Sequence, residues 1–298
     1  MQISAILSDY DGTLCPTASI RNKENIIPEE LENTLWDISE KIPICIVSSK
    51  DFDFLHNKIR FASIVSCLLG IETVALKRHK RTMLSPLNSK EDMPSDKFSE
   101  CREFECIKNS YLSIDATRLQ YNSELLSQLA EEIASRFNEI SIEYKFIVSH
   151  KKTLTGLTMD WRNMDDWKSF KVKSEPQLRK AIFEKQKELQ QGRPNSIHIQ
   201  TYVTHPFIDV YAAKCDKDMA YDAVTSKIPI TDRARQKVMY LGDSENDNPA
   251  FRKADVSIGV KSDERLNPNL DCKYTVGFDR LAGFLKKLHN DNFLFSDL

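Results

Sequence analysis

Clusters of acidic and hydroxyl residues follow three apolar, strand-like segments that lie far apart in the 298-residue chain. The clusters are Asp9 and Asp11 after residues 3–7, Ser48 and Ser49 after residues 42–47, and Asp243 and Asp247 after residues 238–241. In open α/β sheets ligands bind just outside the carboxyl ends of the strands, so these clusters are expected to meet. Four carboxylates in one place repel one another and persist only if a cation neutralises them. Oxygen ligands without a nearby His or Cys favour a hard ion, and Mg²⁺ is the first choice.

The same residue types predict phosphoryl transfer assisted by that ion. Asp9 is expected to attack phosphorus in line and to form an aspartyl-phosphate. Asp11 comes two residues later in an extended segment, so its side chain projects to the same side, where it would protonate the leaving oxygen and then activate water. The Lys217 ammonium and the Ser48 hydroxyl would hold phosphoryl oxygens, and Gly12 lets the backbone turn sharply away from the site.

The segments that carry these residues alternate between strand and helix patterns. Near the start of the chain, strands are predicted over 3–7, 42–47 and 64–69, with a helix over 28–40 between the first two. After about residue 213 the same style returns, with a helix opened by Lys217, strands over 238–241 and 256–260, and a helix over 281–288. Such alternation is typical of a parallel sheet covered by helices on both faces.

The middle of the chain has a different pattern. A polar segment over 77–110 is followed by a helix over 122–137, strands over 140–148, 153–161 and 196–203, and a charged helix over 175–191 closed by Gly192. Antiparallel strands with helices on one side make a compact α+β module. We therefore predict the α/β class, with a doubly wound parallel-sheet core over 1–80 and 213–298 and an inserted α+β cap domain over 81–212, in keeping with ~150 residues per domain.

Composition excludes several classes of protein. The formal charge is −2 and the sequence pI about 6.3, which argues against a dedicated nucleic-acid binder. No apolar run reaches the ~18 residues that a membrane span needs, and the first residues have no basic region of a secretory signal. The seven cysteines are scattered without a CxxC pair, which favours reduced thiols in a cytoplasmic protein.

Four motifs in order resemble those of the haloacid-dehalogenase-like (HAD) phosphatases. They are Asp9-Tyr-Asp11-Gly-Thr-Leu after a strand, Ser48 after a second strand, Lys217 at the start of a helix, and Gly-Asp243-Ser-Glu-Asn-Asp247 far downstream. The resemblance implies a Rossmann-like core, and the insertion between Ser48 and Lys217 is similar to a C2-type cap. Such caps occur in Cof-type, sucrose-phosphate and trehalose-6-phosphate phosphatases and in phosphomannomutases of the eukaryotic type.

The resemblance also implies roles for particular residues. Asp9 would be the nucleophile and Asp11 the general acid/base, while Ser48, Lys217, Gly12 and Asn246 are assigned to phosphate binding. Mg²⁺ would be held by Asp9, the main-chain carbonyl of Asp11 and Asp243, with support from Asp247. Lys214 competes with Lys217 for the lysine role, but Lys217 opens a helix and fits the family spacing better.

The sequence departs from the family at Lys50. Arginine is frequent at this place, and lysine keeps the charge but loses the bidentate fork. In the cap, Lys152 and Arg162 are candidates for contacts with the substrate, because the segment around Trp161 resembles the cap of trehalose-6-phosphate phosphatases. A solvated strand face is the plainer reading of these charges, and cap core the plainer reading of Trp161 and Trp167.

The predicted function is therefore a Mg²⁺-dependent phosphomonoesterase that acts on a small phosphate ester, a sugar phosphate or related polyol phosphate, with trehalose 6-phosphate as one model. One alternative is a phosphosugar mutase, which returns the phosphoryl group to another hydroxyl. Another is a non-catalytic phospho-acceptor module, which also combines acidic residues, a hydroxyl and a lysine but lacks a cap. A monomer or weak dimer, without nucleic-acid or membrane partners, completes the expectation.

Overall fold

The computed structural model describes residues 1–16, 26–76, 116–147, 153–190, 197–203, 205–228, 237–262 and 269–296. Predictions for Lys152, for the polar segment 85–110 and for Gly192 fall outside these residues. The strands in the described part are β1 (Ala5–Ser8), β2 (Ile44–Val47), β3 (Ile64–Cys67), β4 (Glu72–Ala75), β5 (Ser141–Ile147), β6 (Thr153–Asp160), β7 (His198–Thr201), β8 (Phe207–Tyr211), β9 (Val238–Gly242), β10 (Val256–Lys261) and β11 (Tyr274–Gly277). The helices in the same ranges are α1 (Glu29–Ser39), α2 (Phe52–Leu55), α3 (Ala116–Arg136), α4 (Trp167–Gln190), α5 (Lys217–Thr225), α6 (Asn248–Lys253) and α7 (Phe278–Asn290). Within the described ranges, no helix combines the length and the apolar character that crossing a membrane requires.

Seven strands form the core sheet in the order β11-β10-β9-β1-β2-β3-β4. All neighbouring pairs are parallel except β3 and β4, so the predicted fold class is confirmed and one edge of the sheet is antiparallel. The strand predicted over 64–69 ends at Cys67, because Leu68–Gly70 form a 3-10 turn with positive φ angles. This turn reverses the chain and allows β4 to pair back onto β3. The sequence analysis predicted neither β4 nor β11.

The two faces of the core sheet bury alternate residues of each strand. In β1, Ile6 lies in one apolar cluster with Leu35 of α1 and Leu285 of α7. Its neighbour Leu7 lies in a second cluster that includes Val224 of α5. Because consecutive side chains of a strand point to opposite faces, two layers of helix cover a sheet whose central strands are buried throughout. The doubly wound arrangement therefore follows from these apolar runs.

A separate antiparallel sheet, the cap sheet, has the order β5-β6-β8-β7. One of its faces packs against helices of the cap, since Leu157 and Val210 share a cluster with Leu129 of α3 and Ile182 of α4. Four strands and two long helices thus make the predicted α+β module. The strands come from residues 141–211, whereas the core sheet uses residues 5–75 and 238–277.

Three features of the cap differ from the prediction. Helix α3 begins at Ala116, whereas the sequence predicted a start at residue 122. The charged helix begins at Trp167 rather than near Glu175, and it continues through Pro176. Burial of Trp167 and Phe170 against the core cluster of the cap favours the additional turns and offsets the hydrogen bond lost at proline. Strand β8 was not predicted, although Ile208 and Val210 are its buried alternating residues.

Candidate active site

The three polar clusters meet at the carboxyl edge of the core sheet. Strand β1 lies between β9 and β2, and Ser8 pairs with Leu241 on one side and with Ile46 on the other. The residues that follow these strands therefore leave the sheet side by side. Asp9 is held there by its main-chain amide, which donates to Leu241 O at 2.9 Å. The convergence inferred from strand ends is present in the fold.

Three buried carboxylates form the acidic centre. Asp9, Asp243 and Asp247 each offer an oxygen within 4.8 Å of the others. Lys217 Nζ lies 3.0 Å from Asp9 Oδ1 and 2.5 Å from Asp247 Oδ1, and it is buried at the start of α5. Lys214, the other candidate, is exposed. The geometry thus favours Lys217, and one buried ammonium faces three buried carboxylates.

This excess of negative charge perturbs protonation. Burial raises the pKa of Asp9 from 3.8 to about 7, with Asp247 adding to the rise and Lys217 opposing it. For Lys217, burial favours the neutral amine, but Asp247 and Asp9 outweigh it and raise the pKa above its usual value. A divalent cation at this centre would favour ionised Asp9. The donor set of carboxylate oxygens therefore fits a hard ion such as Mg²⁺.

Asp247 has both carboxylate oxygens engaged. Oδ1 accepts from Lys217 Nζ and from the Tyr240 hydroxyl at 2.8 Å. Oδ2 accepts from the main-chain amides of Asp243 and Ser244, each at 3.0 Å. A Cβ at Gly242 would lie 2.4 Å from Asp247 Cγ, so only glycine admits this close approach. These contacts favour a role for Asp247 in fixing the loop that presents Asp243.

The turn after β1 presents Asp11. Gly12 has a φ of 82° and its amide donates to Cys15 O at 2.7 Å, which closes the sharp turn expected from the sequence. Thr13 Oγ1 donates to Asp243 Oδ1 at 3.1 Å and ties this turn to the loop after β9. Asp11 Oδ1 is buried without a hydrogen-bond partner among the described residues. A buried carboxylate oxygen in this state is expected at a site that takes a further ligand.

Ser48 is buried at the end of β2, beside the turn that follows β1. Its Oγ accepts from the Lys50 amide at 3.1 Å, and its own amide donates to Ser66 O at 2.9 Å. These bonds fix the backbone of the loop after β2. Ser48 is thus on the edge of the sheet that carries Asp9.

The other face of the cap sheet carries polar residues that the sequence analysis missed. Lys145 Nζ donates to Asp209 Oδ1 at 3.0 Å and to the Tyr211 hydroxyl at 3.3 Å. Thr158 Oγ1 donates to Asp209 Oδ1 at 2.5 Å, and the Tyr202 hydroxyl donates to Asp209 Oδ2 at 2.7 Å. These five residues, all buried, are called the cap network below. In the sequence, the local sign of this network is Asp209, a polar residue that alternates with the apolar residues Ile208 and Val210.

The cap network lies on the face of the cap sheet toward the edge of the core sheet that carries the acidic centre. Glu143, which pairs across the strands with Thr158, contacts Lys50 of the core. Gln200, which pairs with Asp209, donates to Asn246 Oδ1 at 2.8 Å. Burial raises the pKa of the Tyr202 hydroxyl, and the negative charge of Asp209 raises it further. The charge of Asp9 adds to this rise.

The remaining predicted residues have mixed positions. Asn246, assigned to phosphate binding, contacts Gln200 of the cap. Arg162 forms an ion pair with Asp160, and its guanidinium lies 5.4 Å from the centre of the Phe207 ring. Trp161 is buried in the cap core, which agrees with the plainer reading of this aromatic.

Sequence and structure comparisons identify the family. The model of the haloacid dehalogenase-like hydrolases matches residues 6–267, so the chain belongs to this family of hydrolases. No match was found among curated protein sequences.

Solved structures share the fold over nearly the whole chain. A trehalose-6-phosphate phosphatase related protein is 16% identical with a TM-score of 0.58, and the match covers 96% of this chain and 97% of the other. The C-terminal domain of the C. albicans trehalose-6-phosphate phosphatase is 16% identical with a TM-score of 0.55, covering 96% and 93%. A phosphatase of the haloalkanoate (HAD) superfamily from Bacteroides thetaiotaomicron is 16% identical with a TM-score of 0.52, covering 98% and 96%. At this level of identity, the likeness shows the fold.

Proposed function

We propose that this hydrolase is a Mg²⁺-dependent phosphomonoesterase that uses Asp9 as its nucleophile and acts on a phosphorylated sugar or related polyol. The observation that carries the proposal is the contact of Lys217 with Asp9 in a buried centre that also contains Asp243. This centre combines a carboxylate nucleophile, a fixed positive charge and an excess of acidic ligands. Phosphoryl transfer needs these three elements.

The ion would be held by the Asp9 and Asp243 carboxylates and the main-chain carbonyl of Asp11, while Asp247 keeps the Asp243 loop in place. Bound Mg²⁺ supplies positive charge that offsets the charge on the phosphoryl oxygens. Lys217 supplies a second positive charge, and the Ser48 hydroxyl donates a hydrogen bond to one of these oxygens. The acidic residues of this site then serve both as ligands and as reacting groups.

The chemistry of the chain's own residues has two steps. Asp9 forms a bond from its carboxylate oxygen to phosphorus while the ester bond breaks, and Asp11 gives its proton to the leaving oxygen. Asp11 then removes a proton from water, the water oxygen bonds to phosphorus, and the aspartyl bond breaks. Inorganic phosphate leaves and Asp9 is regenerated.

The cap supports a polyhydroxylated leaving group. The cap network combines one ammonium, one carboxylate and three hydroxyls that bond to one another on the face of the cap sheet toward the core. Groups of these types can also form hydrogen bonds with the neutral hydroxyls of a sugar or polyol. The two neighbours named for trehalose-6-phosphate phosphatases support the same substrate class. We assign this role to a cap domain over residues 81–212 and the chemistry to a core over 1–80 and 213–298.

Phosphate release from a panel of sugar and polyol phosphates, with p-nitrophenyl phosphate as reference and Mg²⁺ present, tests the proposal. Asp9→Asn is expected to lower kcat/KM about 10⁴-fold, whereas Asp165→Asn, at an exposed carboxylate of the cap, leaves it unchanged. Retained activity in Asp9→Asn would show that Asp9 is not the nucleophile. Transfer to a second sugar hydroxyl without free phosphate would identify a mutase instead.

A further inference from the structure

The cap sheet meets the core through its two edge strands. Strand β5 contacts the loop after β2 through Lys50 and Glu143, and β7 contacts the loop after β9 through Gln200 and Asn246. These two loops leave the core sheet on either side of β1. The cap sheet therefore bridges the acidic centre.

The contact at β5 contains an ion pair and a main-chain bond. Lys50 Nζ donates to both carboxylate oxygens of Glu143, at 2.9 and 3.0 Å. The next core residue, Asp51, accepts from the Phe146 amide at 3.2 Å with one oxygen and from the Phe54 amide at 3.0 Å with the other. Edge strands leave main-chain donors without a strand partner, and Asp51 satisfies one of them. Two successive core residues thus bind one cap strand.

Charge and burial make this contact specific. The Lys50 side chain is only 16% exposed. Burial lowers its pKa, but the carboxylates of Asp11 and Glu143 outweigh burial and raise it. Burial raises the pKa of Glu143, but Lys50 and Lys145 outweigh this effect and lower it. Both partners are therefore charged near neutral pH. Removal of Glu143 leaves the buried Lys50 ammonium poorly compensated, whereas the Glu143 side chain is 42% exposed and remains partly solvated without Lys50.

We propose that Lys50 and Glu143 form a clasp that sets the closed position of the cap over Asp9 and Asp11, which makes Lys50 a positioning residue for phosphoryl transfer. The link to transfer rests on the proposed function, whereas the clasp itself rests on the contacts of Lys50. Lys50 Nζ contacts Glu143 directly, and the charge of Asp11 adds to the negative charge around this ammonium.

A direct role of Lys50 in holding phosphate is the competing account. It predicts that replacement of Lys50 lowers phosphatase activity and that replacement of Glu143 does not. In the structure, the ammonium already contacts both oxygens of Glu143. The clasp instead predicts that the two residues act through each other. The effect of replacing both should therefore equal the effect of replacing either one.

Hydrogen exchange of the amides in β5 tests the clasp without any substrate. Lys50→Gln and Glu143→Gln are each expected to raise exchange over residues 141–147 about fivefold, and the double variant no further. Lys50→Arg keeps the charge and is expected to stay within about twofold of the parent. The matched control is Glu184→Gln, because Glu184 pairs with Lys180 inside α4 and both are exposed. Exchange in β1 serves as the check that each variant is folded.

Kinetics on the best substrate of the panel separates positioning from catalysis. The clasp expects Lys50→Gln and Glu143→Gln to raise KM by the same factor, about fivefold, with a smaller change in kcat. A loss of kcat of about 100-fold in Lys50→Gln alone would overturn the clasp in favour of direct phosphate binding. Unchanged exchange in both single variants would also overturn it, even in an active phosphatase. Absence of phosphatase activity with raised exchange would refute the proposed function and leave the clasp standing.

Discussion

Two buried lysine–aspartate groups lie on opposite sides of the interface between core and cap. In the core, Lys217 contacts Asp9 and Asp247, and Asp243 adds a third carboxylate. In the cap, Lys145 contacts the carboxylate of Asp209 and the hydroxyl of Tyr211, and the hydroxyl donors of Thr158 and Tyr202 complete the contacts of that carboxylate. The first group has a net negative charge, whereas the second is balanced. An excess of buried negative charge favours the binding of a cation. A balanced buried pair needs no further ion and fixes the geometry of the residues around it.

The pKa values of Asp9 in the core and Asp209 in the cap shift in opposite directions. Burial raises the pKa of Asp9 to about 7, because Asp247 adds to the effect and Lys217 only partly offsets it. Burial also raises the pKa of Asp209, but Lys145 and the hydroxyl donors outweigh it and lower the pKa below 3.8. Both side chains are buried, so their neighbours and not their depth decide the sign. The comparison leads to three predictions.

The largest expected effect is the loss of Lys145. Lys145→Met leaves ionised Asp209 buried without its cation, and we expect the free energy of unfolding to fall by about 3–5 kcal/mol. Urea unfolding followed by tryptophan fluorescence measures it, since Trp161 and Trp167 lie in the cap.

Two further variants give this prediction its controls. Lys145→Met combined with Asp209→Leu removes both charges and should recover most of the loss. Lys180→Met, at an exposed lysine of the same cap, should change the free energy of unfolding by less than about 0.5 kcal/mol. Equal losses in the single and the double variant would show that the cap network is not a balanced pair.

Asp9→Asn should change stability in the opposite direction. Because the pKa of Asp9 is raised in the fold, ionised Asp9 destabilises the metal-free protein above about pH 4, and fully so above about pH 7. We expect Asp9→Asn to raise the free energy of unfolding by about 1–2 kcal/mol at pH 8 in EDTA, less than the full pKa difference because Lys217 loses a partner.

Thermal unfolding with and without Mg²⁺ measures this effect. The parent protein should gain stability from the ion, and Asp9→Asn should gain less because it has lost a ligand. Near pH 4 without the ion, the two proteins should unfold at similar temperatures, since Asp9 is then largely protonated in the fold. A destabilised Asp9→Asn at pH 8 in EDTA would contradict the account of the acidic centre.

The two groups also differ in how far the sequence could predict them. Asp9 and Asp243 each follow an apolar run, and the rule for parallel strand ends brings them together from local patterns alone. Lys145, Thr158 and Asp209 meet only through the register of three antiparallel strands. One of these strands, β8, was not predicted, so the polar residue Asp209 could not be paired with Lys145 and Thr158 from the sequence. Register depends on packing across the whole sheet, which a local pattern does not show.

The cap residues proposed from the sequence illustrate the same limit. Arg162 was proposed because it is charged and lies in the segment that resembles the cap of trehalose-6-phosphate phosphatases. In the fold it forms an ion pair with Asp160. Lys50 appeared only as a departure from the family, yet its contact with Glu143 joins core to cap. Its partner lies 93 residues away in the chain. Long-range ion pairs of this kind have no signature in spacing.

The smallest expected effect is the acid dependence of the cap network. The pKa of Asp209 is lowered in the fold, so the stability that its ionised form contributes is present above its ordinary value of 3.8 and is lost as the pH falls through the lower folded value. Asp209→Asn lacks this contribution at every pH. The difference in Tm between the parent and Asp209→Asn should therefore be constant between pH 7 and 5 and shrink below about pH 4. A difference in Tm between the parent and Asp209→Asn that does not change down to about pH 2 would contradict this account. It would mean that Lys145 and the hydroxyl donors do not hold Asp209 ionised. The lysine–aspartate groups of cap and core would then differ in geometry but not in charge.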